Sequence, residues 1–250
     1  MKIFDSHFHI IDKRFPLIKL NNYLPPEFTV EDYLEKTKDI NIIAGCLVAG
    51  SFQGFEKDYM VSALKQLGSY FVGTIQIPVS ASDEEILELN STGVKGVRFN
   101  IKAGGSEKLD NLEKLAIRVH ELCGWHVEIH IKSSEISSLF ETLASLPSVS
   151  IDHIGYTQSG FDTLLKLVER GVKIKASGFG RVDFDVKTTL TEINSVNQNA
   201  LMFGTDLPST RAPRPFQNSD IDIILENFDD DTCSKILYEN AASFYKIKKR

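Results

Sequence analysis

The stretch Met1-Lys2-Ile3-Phe4-Asp5-Ser6-His7-Phe8-His9-Ile10 decides how the rest of the chain is read. Taken as a strand, its side chains alternate between two faces, so His7 and His9 project to the same side. Two imidazoles that close together can hold one divalent ion or polarise one carbonyl oxygen. The apolar neighbours suit a buried strand. A lone buried histidine is commonly satisfied by ordinary hydrogen bonds, so the pair gains meaning only if the rest of the chain supplies partners.

Working outward, residues 12–28 are irregular, basic and proline-bearing, and are expected to loop over one end of the fold. Thr29-Val30-Glu31-Asp32 reads as a helix start, with Thr29 as cap. Residues 42–50 form a near-continuous apolar run of the kind a doubly covered parallel strand shows, and a helix follows over about 55–67. The unit then repeats. Strands are expected at 70–78, 94–101, 125–131, 149–155, 172–178 and 201–207. Helices open at Ser82 and cover 109–122, 134–146, 161–170, 187–196, 221–228 and 232–245. Eight strands alternating with helices over 250 residues predict a closed (β/α)8 TIM barrel, one domain over 1–250 without a linker. A doubly wound open sheet is the rival, but its nucleotide-binding form would carry a glycine-rich phosphate loop after a strand. Gly104-Gly105 is the nearest candidate and has neither GxGxxG nor GK[ST] spacing.

Composition narrows the partners. Apolar content of 42% and charged content of 25% are those of an ordinary soluble globular chain. A net charge of −6 and pI near 5.6 argue against a nucleic-acid surface; the one basic run is Lys248-Lys249-Arg250. Cys46, Cys123 and Cys233 are odd in number and widely spaced, which suits reduced thiols in a cytoplasm. Asp5, His7 and His9 interrupt any signal-peptide core, and no apolar run approaches membrane-spanning length.

A barrel of this kind builds its site at the C-terminal ends of its strands. There the chain offers His7 and His9, Arg98 and Asn100, His130, His153, Ser177 with Arg181 just beyond, and Asp206. His120 falls on a helix face and reads as structural. His126 reads as a barrel-bottom residue, and Glu128 as the partner of an internal Lys or Arg. Asp152 alternates away from His153, which makes it a supporting carboxylate.

These residues carry a resemblance. Asp5-Ser-His7-Phe-His9, Gly96-Val-Arg98-Phe-Asn100, Ile151-Asp-His153-Ile-Gly155, Lys175-Ala-Ser-Gly178 and Gly204-Thr-Asp206-Leu-Pro208 are similar to motifs of the amidohydrolase superfamily. Within it they most resemble the amidohydrolase-2 group of lactonases, which includes 2-pyrone-4,6-dicarboxylate and sugar lactonases. The likeness spans Asp5 to Glu239-Asn240-Ala241. It implies that His7, His9, His153 and Asp206 build the reaction centre. Metal-free pyrone lactonases carry a tyrosine where this chain has His130. With the histidine, the resemblance implies a metal-ligand set of His7, His9, His130 and Asp206, as in mononuclear zinc members. A two-metal centre is not expected, because strand four ends in Arg98 rather than a bridging lysine.

The expected reaction is hydrolysis of a lactone. Asp206 takes a proton from water, and the histidines stabilise the oxyanion, with or without one Zn²⁺. A zinc-dependent decarboxylase of the same superfamily is the enzymatic alternative, and a non-catalytic small-molecule-binding barrel the alternative of another class. Arg98, Arg181 and Arg211 lie just past strand ends, with Arg214 close by. Arginine forks suit carboxylate oxygens, so the expected substrate is anionic, with Arg98, Asn100, Arg181 and Arg211 binding it. One of Arg211 and Arg214 is expected to be spent on a salt bridge within the loops.

Overall fold

The computed structural model describes residues 1–20, 22–101 and 104–247; the terminal basic run lies outside the described residues. Eight parallel strands pair in sequence order. They are β1 (Ile3–Phe8), β2 (Ile42–Val48), β3 (Phe71–Ile75), β4 (Val94–Asn100), β5 (His126–His130), β6 (Val149–Ile151), β7 (Lys173–Ala176) and β8 (Leu201–Phe203). Hydrogen bonds close the ring at its upper rim. Asp206 N donates to His7 O at 2.7 Å, and His9 N to Leu207 O at 2.7 Å. A Cβ on Gly204 would lie 2.8 Å from His7 N, so only glycine lets β8 run this close to β1. The same seam is tied by buried Asp5, whose carboxylate accepts from Thr205 N (2.8 Å), Thr205 Oγ1 (2.6 Å) and Tyr33 Oη (3.0 Å). Burial outweighs these bonds and pushes the Asp5 carboxyl up to about 6.

Helices cover the outside: α1 (Val30–Thr37), α2 (Asp58–Leu67), α3 (Asp83–Ser91), α4 (Leu112–Cys123), α5 (Phe140–Ser145), α6 (Phe161–Glu169), α7 (Val186–Val196), α8 (Ser219–Asn227), α9 (Asp230–Ser234) and α10 (Asn240–Phe244). Thr29 caps α1 through reciprocal bonds with Asp32. Leu112, Leu115, Ala116 and Val119 are spaced on one face of α4 and are all buried against the sheet.

Two helices differ from the sequence expectation. Residues 134–146 divide into a 3₁₀ stretch, Ser133–Leu139, and the short α5. The serines explain it, since a hydroxyl such as Ser138 Oγ, donating to Glu135 O at 3.0 Å, competes with the helix backbone. The closing helix is interrupted by a π-turn, Lys235–Glu239. Just after it, Asn240 Nδ2 donates to Leu201 O at 2.9 Å and Gln198 O at 3.0 Å, pinning the helix under the barrel floor. That floor is finished by Tyr245, stacked 5.2 Å from Phe4, and by His126 against Phe244 at 4.8 Å.

The barrel interior is charged. Lys175 (β7) donates to Glu128 (β5), and Arg98 (β4) donates to Asp152 Oδ2 at 2.5 Å, all four side chains being buried. Arg98 Nε lies 3.3 Å from Glu128 Oε1, so two cations and two carboxylates interlock. Burial and the neighbouring Asp152 charge push the Glu128 carboxyl up to about 7, while Arg98 and His7 hold Asp152 well below the usual range.

Candidate active site

The rim at the C-terminal strand ends encloses a cavity of about 300 Å³, at the small end of ligand-sized sites. His9, Arg98, Asn100, His130, His153, Arg181, Asp206 and Arg211 all line it; His7 lies just beneath. Strand alternation sets the first pair. His7 Nε2 and His9 Nε2 stand 3.3 Å apart with their rings perpendicular. His9 Nδ1 faces Val48 O at 2.8 Å, which fixes the proton on Nδ1 and leaves a lone pair on Nε2. His7 Nδ1 lies 3.3 Å from both Asp152 Oδ1 and Lys175 Nζ.

His153 arrives differently. β6 ends at Ile151, and the chain enters a run of left-handed backbone: His153 (φ 48°), Ile154 (54°), Gly155 (72°) and Tyr156 (65°). Strand alternation therefore stops before His153, and Asp152 and His153 both reach the interior. This corrects the reading of Asp152 as facing away. The His153 ring lies 4.6 Å from that of His7, its Nδ1 2.9 Å from Ser177 Oγ and its Nε2 3.8 Å from Asp206 Oδ1. A Cβ on Gly178 would lie 2.6 Å from His153 Nδ1, so the β7 exit must be glycine for the imidazole to fit.

Asp206, itself at φ 60°, points one oxygen each way. Oδ2 accepts from Arg181 Nε at 2.6 Å. Oδ1 is buried without a hydrogen-bond partner among the described residues, 4.0 Å from His9 Nε2. Burial pushes this carboxyl up to about 6 against the pull of Arg181. Burial drives His9 down to about 3, and His7 and His153 well below the ordinary imidazole value, which favours the neutral ring at all three.

His130 stands apart from this centre. Its Nδ1 meets Asn100 Oδ1 at 2.6 Å, directly across the β4–β5 ladder, and its Nε2 meets the Tyr156 hydroxyl. Among the described residues, the groups able to converge on one metal ion are His7–His9–Asp206 and His7–Asp152–His153, with ligand atoms within 4.8 Å of one another. The expected fourth ligand, His130, belongs to neither. Its second nitrogen goes to a tyrosine that enters from a turn rather than a strand.

The arginines divide as well. Arg98 is 2% exposed, and its Nη1 donates to Ala49 O at 2.5 Å while Nη2 holds Asp152. Arg214 pairs with Asp220 at 2.7 Å and is the one spent within the loops. Arg211 sits over Tyr23, its Cζ 4.1 Å from the ring centroid, and reaches Leu20 O at 3.4 Å. Leu20 and Tyr23 thus lie over the mouth, where Ile18 N also donates to Phe52 O at 2.7 Å. Tyr156 and Lys175 are among the residues that escaped the sequence reading. Tyr156 carried no strand-end signal, and Lys175 stood inside a recognised motif with no role attached.

Comparison with known proteins places the chain in a family. The amidohydrolase family model matches residues 4–247. The chain belongs to the amidohydrolase family. This amidohydrolase is 27% identical over 226 residues to a 4-sulfomuconolactone hydrolase of Hydrogenophaga intermedia, covering 82% of this chain and 74% of that protein. It is 29% identical over 162 residues to a 2-pyrone-4,6-dicarboxylate hydrolase of Comamonas testosteroni, covering 60% of this chain and 51% of that one. Among solved structures, a probable 2-pyrone-4,6-dicarboxylic acid hydrolase from Acinetobacter baumannii, with citric acid bound, superposes with a TM-score of 0.85 at 24% identity, covering 99% of this chain and 100% of the other.

Proposed function

We propose that this amidohydrolase opens the ring of an anionic lactone by hydrolysis. The observation that carries the reading is the buried, unsatisfied Asp206 Oδ1, facing His9 Nε2 and His153 Nε2 at the floor of a cavity sized for one small ring. A carboxylate oxygen so placed accepts a proton from water attacking a lactone carbonyl. Arg181 holds the other oxygen, so the lone pairs of Oδ1 stay aimed into the cavity. On collapse of the tetrahedral intermediate the ring C–O bond breaks, and the leaving oxygen takes the proton that Asp206 received. Relatives named for sulfonated and dicarboxylated lactones support both the reaction and a charged substrate. The unbridged cysteines suit a cytoplasmic setting.

The residues fit one metal ion. With metal–nitrogen bonds of about 2.0–2.1 Å and tetrahedral angles, two imidazole nitrogens sit about 3.3 Å apart. His7 Nε2 and His9 Nε2 show that spacing, and Asp206 Oδ1 supplies a carboxylate oxygen that accepts no hydrogen bond among the described residues. His7, His9 and Asp206 would hold the ion, which we take to be Zn²⁺; it would lower the pKa of water and polarise the carbonyl there. The test is an assay of carboxylated and sulfonated lactones with the wild-type protein and Asp206→Asn. Acid release that disappears in the variant is expected. Release of CO₂ in place of ring-opened acid would refute the hydrolase reading.

A further inference from the structure

Three arginines line the cavity, and counting their partners separates them. Arg98 spends Nη2 on Asp152, Nη1 on Ala49 O, and has Nε beside Glu128. Arg181 spends Nε on Asp206 and Nη2 on Thr210 O at 2.8 Å. Each of these charges is balanced by a carboxylate of the protein. Arg211 has no carboxylate within ion-pair reach among the described residues; its contacts are the Tyr23 ring and one long bond to Leu20 O. A guanidinium seated over an aromatic ring is held there by cation–π attraction without spending a carboxylate, which leaves N–H donors for an incoming anion and restrains the side chain in advance.

The geometry points to Arg211, braced on Tyr23 at the mouth, as the residue that selects a single anionic substituent of the substrate, while Arg98 and Arg181 are positioning residues for Asp152 and Asp206. The inference rests on the lactonase reading and deepens it. Arg211 stands on the rim and Asp206 at the floor, so the scissile carbonyl goes down toward His9 and the anionic group stays up. The substrate class is therefore a small lactone bearing one carboxylate or sulfonate on the side of the ring away from its carbonyl. Either group offers paired oxygens to the fork.

The test compares wild type, Arg211→Gln, Arg211→Lys and Arg181→Met on matched lactones: one carboxylated, one sulfonated, and the neutral methyl ester of the first. The readout is the ratio of kcat/KM for each anionic lactone to that for the neutral one. Arg211→Gln should lower the ratio by about tenfold or more, the loss of one charge-assisted fork, with partial return in Arg211→Lys. Loss with only one of the two anions identifies the group that is read. Arg181→Met should depress all three lactones by a common factor. An unchanged ratio in Arg211→Gln, or a collapse of the ratio in Arg181→Met, overturns the assignment. If the wild type turns over no lactone, the reaction is misread, and calorimetric titration with citrate still decides about Arg211. A tenfold weaker citrate affinity in Arg211→Gln supports the anion site, and equal affinity overturns it. Arg211 is exposed, so its two variants keep the fold.

Discussion

Lys175→Met tests the charged interior of the barrel. Lys175 donates to Glu128 and lies 4.0 Å from Asp152 Oδ1. Without it, Arg98 alone faces two carboxylates, and it is committed to Asp152 at 2.5 Å, so Glu128 carries the deficit. The Glu128 carboxyl already sits near 7, held up by burial and Asp152 and pulled down by Lys175 and Arg98. Losing one downward pull raises it further, and at neutral pH it takes a proton. A carboxyl whose folded pKa exceeds its unfolded value costs stability progressively as pH climbs from the unfolded to the folded pKa. In the wild type that loss ends near 7; in the variant it continues above, by about 1.4 kcal/mol per pH unit. Breaking a buried pair costs roughly 3–5 kcal/mol in all, so the variant should lose about 1 kcal/mol at pH 6 and approach the full amount at pH 9. Urea melts followed by the single, buried Trp125 at pH 6, 7.5 and 9 measure this directly. Lys175→Met/Glu128→Gln removes both charges and should recover most of the loss at pH 9. A pH-independent loss, or a double variant as unstable as the single one, would refute the reasoning.

Asp206→Asn keeps the shape but removes the proton acceptor, and should cost on the order of a hundredfold in kcat in steady-state assays. Because Asp206 works as a base only when ionised, kcat/KM should fall tenfold per pH unit below about 6, and Arg181→Met should move that acid limb to higher pH by removing the cation that favours the ionised form. An acid limb that stays in place would rule out their coupling. Protein given Zn²⁺ and then desalted should retain about one equivalent by elemental analysis, lose it in His9→Ala, and keep it in His130→Tyr. Retention that depends on His130 would instead place that residue among the ligands.

The barrel is legible because buried parallel strands write themselves as apolar runs separated by amphipathic helices. His7 and His9 are legible because residues two apart on extended chain share a face, and both rings turn inward although β1 ends at Phe8. The reading weakens where the backbone leaves extended geometry. From His153 to Tyr156 four residues take positive φ, and no period predicts that Asp152 and His153 both turn inward or that Tyr156 meets His130. Charge partners are equally silent: nothing in the order of residues says that Arg98 is consumed by Asp152 while Arg211 sits over Tyr23. Those pairings join strands and loops far apart in the chain.

The seam between β1 and β8 sets when this site can exist at all. His7 and Asp206 are joined by backbone across nearly the whole length of the polypeptide, and that clasp is the most sequence-distant pairing in the ring. Contacts of such separation carry the largest loop-closure cost, so they reward the chain only after the intervening strands are in place. Turnover then reports on completed molecules, and a partly assembled barrel that kept most of its secondary structure would lack it. Joining the two ends by a linker and opening the chain elsewhere would shorten the loop behind the clasp to the stretch that holds α8, α9 and α10, letting the reaction centre form earlier.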